Sequence, residues 1–322
     1  FDVAAITNGE NAANVLGQAD FVTASSATTQ AGFNFPYGLA LDSSNNRLFV
    51  NDYNNYRVMV FDVAAITNGE NAANVLGQAD FVSGSSLGAS QNSFAYMGQG
   101  ISYDSVGNRL FVSDTNVHRV MIFDVAAITN GENAVNVLGQ SDFVTNSSDY
   151  GQNRLSNPRG NYYDSSNNFL YVADSHNHRV MVFDVAAVSD GENATNVIGQ
   201  TVSDVPSYLR NFAHNGPRAT GFNAPISAAV DESGHRLFVS DFYNNRVLIF
   251  NLNSSNEIVD YTADYVLGQT DFSSLDSGTT QSTLNGPTAL SYDPTGNRLF
   301  VADMVNNRIM VFDVATITDG EG

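Results

Sequence analysis

An aspartate stands five residues ahead of an arginine at Asp52/Arg57, Asp114/Arg119, Asp174/Arg179, Asp241/Arg246 and Asp303/Arg308. A carboxylate and a guanidinium at that spacing can close a charge-assisted fork across a tight loop and neutralise a partly buried charge. Catalysis needs one asymmetric set of groups, so a pair that recurs five times reads as structure. The asparagines inside the same loops, Asn55, Asn177, Asn244 and Asn306, suit a left-handed turn position.

The histidines repeat least. His118, His176 and His178 lie in those loops, and His214 lies in a long polar connection. If both kinds of loop share one face, His176, His178 and His214 form a candidate zinc or iron set. The competing reading is packing, because Tyr56 and Asn245 fill the slot held elsewhere by His118 and His178. Turns such as Asp42–Arg47 and Asp293–Arg298 resemble the opening of a calcium loop but lack its distal Glu, and they read as Asx turns. No cofactor is required by these patterns; calcium at the turns and zinc at the histidines are the metal readings they leave open.

A second polar set breaks an otherwise repeated frame. Tyr37, Gln99, Arg159, Ile226 and Thr288 occupy one equivalent position, and Asn161 replaces the Leu39, Ile101 and Leu290 of its siblings. Arg154, Arg159, Arg210 and Arg218 are the arginines outside the repeated slots, and all fall between residues 154 and 218. Arg159, Asn161, Gln99, Tyr37, Thr288 and Arg218 are therefore the candidate ligand-binding residues, suited to a carboxylate or a sugar.

These residues are positioned by a tandem repeat. The phrase FDVAAITNGEN or a relative of it begins at Phe1, Phe61, Phe123, Phe183, Phe250 and Phe312. The repeats run 1–60, 61–122, 123–182, 183–249 and 250–311, with a partial copy at 312–322, and together make one domain. Each contains four strand signals, as in GLALD, RLFVND, RVMVFDV and NVLGQ, separated by Ser/Asn/Gly turns. Four short antiparallel strands per repeat describe the blade of an all-β propeller. The expectation is a single propeller of five four-stranded blades of about 60 residues. Asn14–Gln18, a fourth-strand sequence ahead of any first strand, is expected to complete the last blade. The D-V-A-A-I-T-N-G-E segment is expected to form one helical turn, with Asp2 as N-cap and Gly9 as stop.

The run from Pro36 to Phe61, P-Y-G-L-A-L-D-x5-L-F-V-N-D-x4-R-V-M-V-F, resembles the NHL repeat, and its five copies cover nearly the whole chain. The resemblance implies the propeller fold, in the manner of bacterial secreted members, and is weak for function because function sits in grafted loops. Nucleic-acid-binding members of that family would need a basic face.

Such a face is missing here. The net charge is −20, all 13 basic residues are arginine, and phosphate backbones are repelled. No apolar run reaches the ~20 residues of a membrane span, so no membrane insertion is expected. With no cysteine, disulfides, thiolate metal sites and cysteine nucleophiles are excluded together. The acidic, Asn/Ser/Thr-rich, cysteine-free composition fits an extracellular or cell-surface protein.

Two functions follow. The first is a non-catalytic extracellular binding or structural propeller that presents a site at the channel mouth for a glycan, a small acid or a protein. Residues 1–11 and 312–322 duplicate each other, and the surplus copy is expected to promote a homo-oligomer or filament. The alternative is a propeller enzyme of lyase, lactonase or hydrolase type with metal or acid–base chemistry at the mouth. No nucleophile elbow, phosphate loop or HExxH pattern supports that alternative.

Overall fold

A computed structural model of the chain describes residues 11–202, 205–213, 217–317 and 319. Blade 1 holds β1 (Pro36–Asp42), β2 (Arg47–Asp52), β3 (Arg57–Asp62) and β4 (Asn74–Leu76). Blade 2 holds β5 (Met97–Asp104), β6 (Arg109–Asp114), β7 (Arg119–Asp124) and β8 (Asn136–Leu138). Blade 3 holds β9 (Pro158–Asp164), β10 (Phe169–Asp174), β11 (Arg179–Asp184) and β12 (Asn196–Ile198). The two-residue strands β13 (Thr201–Val202) and β14 (Val205–Pro206) form a small hairpin in the long connection that follows. Blade 4 holds β15 (Pro225–Asp231), β16 (Arg236–Asp241), β17 (Arg246–Asn251) and β18 (Tyr265–Leu267). Blade 5 holds β19 (Pro287–Asp293), β20 (Arg298–Asp303) and β21 (Arg308–Asp313), three strands among the described residues.

Within each blade the strands pair antiparallel in chain order, and in each blade the Asp that ends the first strand faces the first residue of the second, as in Asp42↔Arg47. This is the five-bladed all-β propeller expected from the repeat. No helix among the described residues is long and apolar enough to cross a membrane.

Both faces of a blade are apolar because each packs on a neighbour. Ala40, Phe49, Val58, Val60 and Leu76 of blade 1 pack on Ile101, Leu110, Val112, Met121 and Phe123 of blade 2. The same seam recurs between blades 2 and 3, 3 and 4, and 4 and 5. Full burial of one such aliphatic side chain stabilises by about 1.5–3 kcal/mol. Polar latches cross the same seams: the guanidinium of Arg47 donates to the Val125 carbonyl, Arg109 to that of Val185 and Arg236 to that of Val314.

Three local expectations are corrected. The segment after the third strand makes no helix among the described residues, because Asp62 accepts from the Ala64 N–H in an Asx turn and Gly69 N–H is drawn to the Val15 carbonyl. The left-handed residue of the second loop is not the predicted asparagine but its successor: Tyr56, His118, His178, Asn245 and Asn307 carry φ between 52° and 57°. Asn14–Gln18 docks on blade 1 through contacts like those of a fourth strand, the Val15 N–H donating to Asn68 Oδ1, yet it forms no strand and no ladder joins it to β21 among the described residues.

A candidate ligand site at the channel mouth

The first strand of every blade lines a central channel. Space there is set by glycine: a Cβ at Gly100 would stand 2.5 Å from the Arg159 carbonyl, so adjacent inner strands approach as closely as backbone allows. Above these strands, a short 3-10 turn links second and third strands in each blade, over Tyr53–Asn55, Thr115–Val117, Ser175–Asn177, Phe242–Asn244 and Met304–Asn306.

Each turn is held by the Asp–Arg pair. In blade 3, Asp174 accepts from Arg179 Nε at 2.7 Å, from Asn177 Nδ2 at 2.8 Å and from the Ser156 N–H at 2.6 Å. Arg179 spends its remaining donors on the carbonyls of Tyr208, Gly151 and Arg154. Pairs Asp52–Arg57, Asp114–Arg119 and Asp241–Arg246 are equally buried, whereas Arg308 of Asp303–Arg308 is partly open to solvent. Burial pushes the Asp174, Asp114 and Asp241 carboxyls above the ordinary carboxylate range, and the facing guanidinium pulls the other way. The structural role read from the fivefold repetition fits this geometry.

The turns and inner strands together frame a cavity of about 600 Å3 at the mouth, lined by Tyr37, Gln99, Arg159, Thr288, His176 and His178, with Ile226, Phe242 and Met304 among its apolar wall. A deeper space of about 650 Å3 continues it along the inner strands and shares Tyr37, Gln99, Thr288 and Met304. Gln99 Nε2 donates to Tyr37 Oη at 3.0 Å, tying neighbouring blades across the rim. Thr288 Oγ1 turns back to the Ala302 carbonyl at 3.4 Å.

Among the described residues nine of the 13 arginines are ion-paired; Arg159 is not, and its Nε is buried without a hydrogen-bond partner there. Among the described residues no carboxylate lines the mouth, although the chain carries 33. His176 is held below the ordinary histidine value, first by burial and then by the Arg159 charge, and is neutral at pH 7. The guanidinium is thus the full charge facing a partly apolar cavity. Such a group binds a carboxylate or comparable anion.

The remaining predicted residues are placed as follows. Asn161 lies deeper than Arg159, and both ends of its amide are engaged, with Ser102 Oγ at 2.6 Å and Ser113 Oγ at 2.9 Å. Arg218 is not among the lining residues; its carbonyl accepts from Arg246, and its backbone pairs with Gly221. His176 and His178 both reach the mouth, where His178 Nδ1 accepts from the Ala224 N–H at 3.0 Å. His214 lies outside the described residues. Among the described residues no group of three or more His, Cys, Asp or Glu is disposed to hold a metal. The suspected calcium turns are Asx turns: Asp42 accepts from the Ser44 and Asn45 N–H groups and pairs with Arg47.

Two features escaped the sequence reading. Ser175, Phe242 and Met304 line the mouth from the position just after the repeated Asp. Its variation across Tyr53, Thr115, Ser175, Phe242 and Met304, inside an otherwise fixed frame, was the available signal. A second Asp–Arg set at the same five-residue spacing, Asp42/Arg47, Asp104/Arg109, Asp231/Arg236 and Asp293/Arg298, staples the first hairpins.

Five antiparallel blades around a lined channel define a β-propeller with its variable groups gathered at one mouth. The family model described as NHL repeat matches residues 155–183 and 222–250, the first three strands of blades 3 and 4. NHL repeat-containing protein 2 from Bos taurus is 32% identical over 104 residues, 31% of this chain and 12% of that protein. The protein of the same name from Homo sapiens is 29% identical over 99 residues. The chain thus matches only 12% of the length of these relatives. Its fold is a five-bladed β-propeller, and blades 3 and 4 match the NHL repeat.

Proposed function

We propose that the protein is a non-catalytic, extracellular binding propeller whose channel mouth takes a partner or small molecule through a carboxylate or similar anion. The observation that carries this reading is Arg159, which among the described residues stands outside any ion pair and faces a cavity without a carboxylate, in a chain of net charge −20. The apolar wall of Ile226, Phe242 and Met304 favours an anion with an apolar shoulder. The acidic, cysteine-free composition supports the extracellular part of the reading. Self-association through the duplicated ends belongs to the same reading; residues 1–10 lie outside the described ones, and light scattering on a chain lacking residues 1–11 tests it.

Titration calorimetry with phenylacetate and phenylacetamide tests the site. Phenylacetate should bind, the neutral amide should bind at least about tenfold more weakly, and Arg159→Ala should remove the difference, since a charged hydrogen-bonded pair contributes on the order of 1.5–3 kcal/mol. Equal affinity of the variant and the parent for phenylacetate would remove Arg159 from the site.

A further inference from the structure

One blade lacks the staple of its first hairpin. Asp42, Asp104, Asp231 and Asp293 each face an arginine five residues on, and their Oδ2 atoms accept from it at 2.5–3.1 Å. In blade 3 the arginine position is Phe169. Asp164 is nonetheless 0% exposed. Its Oδ1 accepts from the Ser166 N–H at 2.9 Å and from Ser166 Oγ at 2.6 Å, while among the described residues its Oδ2 accepts only from Asn167 Nδ2, at 3.4 Å. A carboxylate buried without a counter-charge is costly.

Blade 4 brings a second carboxyl to the same place. Glu232 follows Asp231, where the other blades carry Ser43, Ser105, Ser165 and Pro294. Its Oε1 meets Ser165 Oγ at 3.5 Å, across the seam and one residue beyond Asp164. Burial, and then the Asp164 charge, hold the Glu232 carboxyl above the ordinary carboxylate range. Two facing carboxyls with no guanidinium between them call for a cation or a shared proton.

The ring beside them is altered as well. In the other four blades the guanidinium lies over the ring two residues on, Phe49, Phe111, Phe238 or Phe300, with Cζ 5.5–5.8 Å from its centroid. In blade 3 that ring is Tyr171, 0% exposed, and its hydroxyl is buried without a hydrogen-bond partner among the described residues. After burial, the Asp164 charge is the next cause that pushes this hydroxyl's pKa up, so the two oxygens share one neighbourhood. The repeat adds a carbonyl. The guanidiniums of Arg47, Arg109 and Arg236 reach the carbonyls of Val125, Val185 and Val314, and Leu252 holds that position in blade 4.

We propose that the seam between blades 3 and 4, at its hairpin-turn end, is a calcium site in which the ion takes the place that a guanidinium holds in the other four blades. Asp164 and Glu232 supply two negative charges for a divalent ion, and Tyr171 Oη and the Leu252 carbonyl supply neutral oxygens. A set made of oxygen alone selects calcium over zinc or iron. Glu232 is only half-buried and Ser165 is exposed, which leaves a way in for the ion and for the waters that complete its shell. Two carboxylates and few protein ligands put the affinity in the weak range of about 0.1–1 mM.

Terbium replaces calcium at oxygen sites and is excited by nearby tyrosine, of which the chain has 14, with no tryptophan. The chain freed of metal by a chelator should show tyrosine-sensitised terbium luminescence that calcium displaces, and calcium in the millimolar range should raise its melting temperature. Glu232→Gln removes half of the charge that holds the ion and should weaken calcium at least about tenfold. Phe169→Arg supplies the guanidinium of the sibling blades; it should abolish the calcium response and melt no lower than the calcium-free parent. If that variant fails to fold, Glu232→Gln carries the test alone, since its position is half-buried. Equal calcium affinity and equal melting shifts in the parent and both variants would assign the ion to the acidic surface at large and overturn the proposal. A parent indifferent to calcium would overturn it too, and a gain in its stability on acidification would show that the two carboxyls share a proton instead.

Discussion

Arg179→Met isolates what a buried Asp–Arg pair contributes, because Arg308→Met makes the same change at the equivalent place in blade 5. Both guanidiniums hold an aspartate and three backbone carbonyls. They differ in solvation: the Arg179 side chain is 0% exposed and that of Arg308 is 28% exposed. Removing one partner of a fully buried pair strands a charge and costs about 3–5 kcal/mol, whereas solvent-exposed pairs contribute about 0–1 kcal/mol. Arg179→Met should therefore lose about 2–3 kcal/mol more than Arg308→Met, a large share of a domain stability of roughly 5–15 kcal/mol. Urea unfolding followed by circular dichroism reads this as a shift in midpoint. Adding Asp174→Asn to Arg179→Met removes the stranded charge and should restore part of the loss, on the order of 1–3 kcal/mol. The pH dependence has a definite sign. Burial already pushes the Asp174 carboxyl up, and without Arg179 only the hydrogen bonds from the Ser156 N–H and Asn177 oppose it. A carboxyl whose folded pKa lies above its unfolded value contributes stability below the unfolded value and loses it as pH rises through the folded one. The deficit of Arg179→Met should accordingly shrink as pH falls from 7 toward 4. Equal losses for the two variants, or a deficit that grows on acidification, would refute the argument.

Gly199→Ala should be severe where Gly88→Ala is mild. Both have positive φ, +94° and +76°, but a Cβ at Gly199 would meet the Phe222 ring at 2.2 Å, while nothing lies within 4 Å of one at Gly88. The first should add about 1–3 kcal/mol of overpacking to a backbone strain of about 1–2 kcal/mol that both share, and thermal melts of the two variants should separate accordingly. Anion affinity at the mouth should rise on acidification through the histidine range, because His176 is held neutral at pH 7 and gains a positive charge below its lowered pKa. Calorimetry with phenylacetate at pH 7.5 and 5.5 measures this, and His176→Asn should flatten the difference.

The fold was legible because repetition averages out local ambiguity: a four-strand pattern seen five times, each with runs like RLFV and RVMV, admits few other architectures. The Asp–Arg forks were legible for the same reason, since their spacing brackets one short loop. What repetition could not convey is where the equivalence ends. Asn14–Gln18 has a fourth-strand sequence and makes the contacts to blade 1 that such a strand makes, but whether β21 pairs with it depends on the angle accumulated over five blades, which no local pattern encodes. Arg218 looked like a partner of Arg159 because both fall in one basic stretch, yet closeness along a chain says little about which loop reaches the mouth. Asn161 was found as an anomaly, but its amide is engaged by Ser102 and Ser113, ordinary-looking serines on two different strands. Ser175, Phe242 and Met304 were missed because the pairing of Asp and Arg around them drew the reading toward the fixed positions of that loop rather than its variable one.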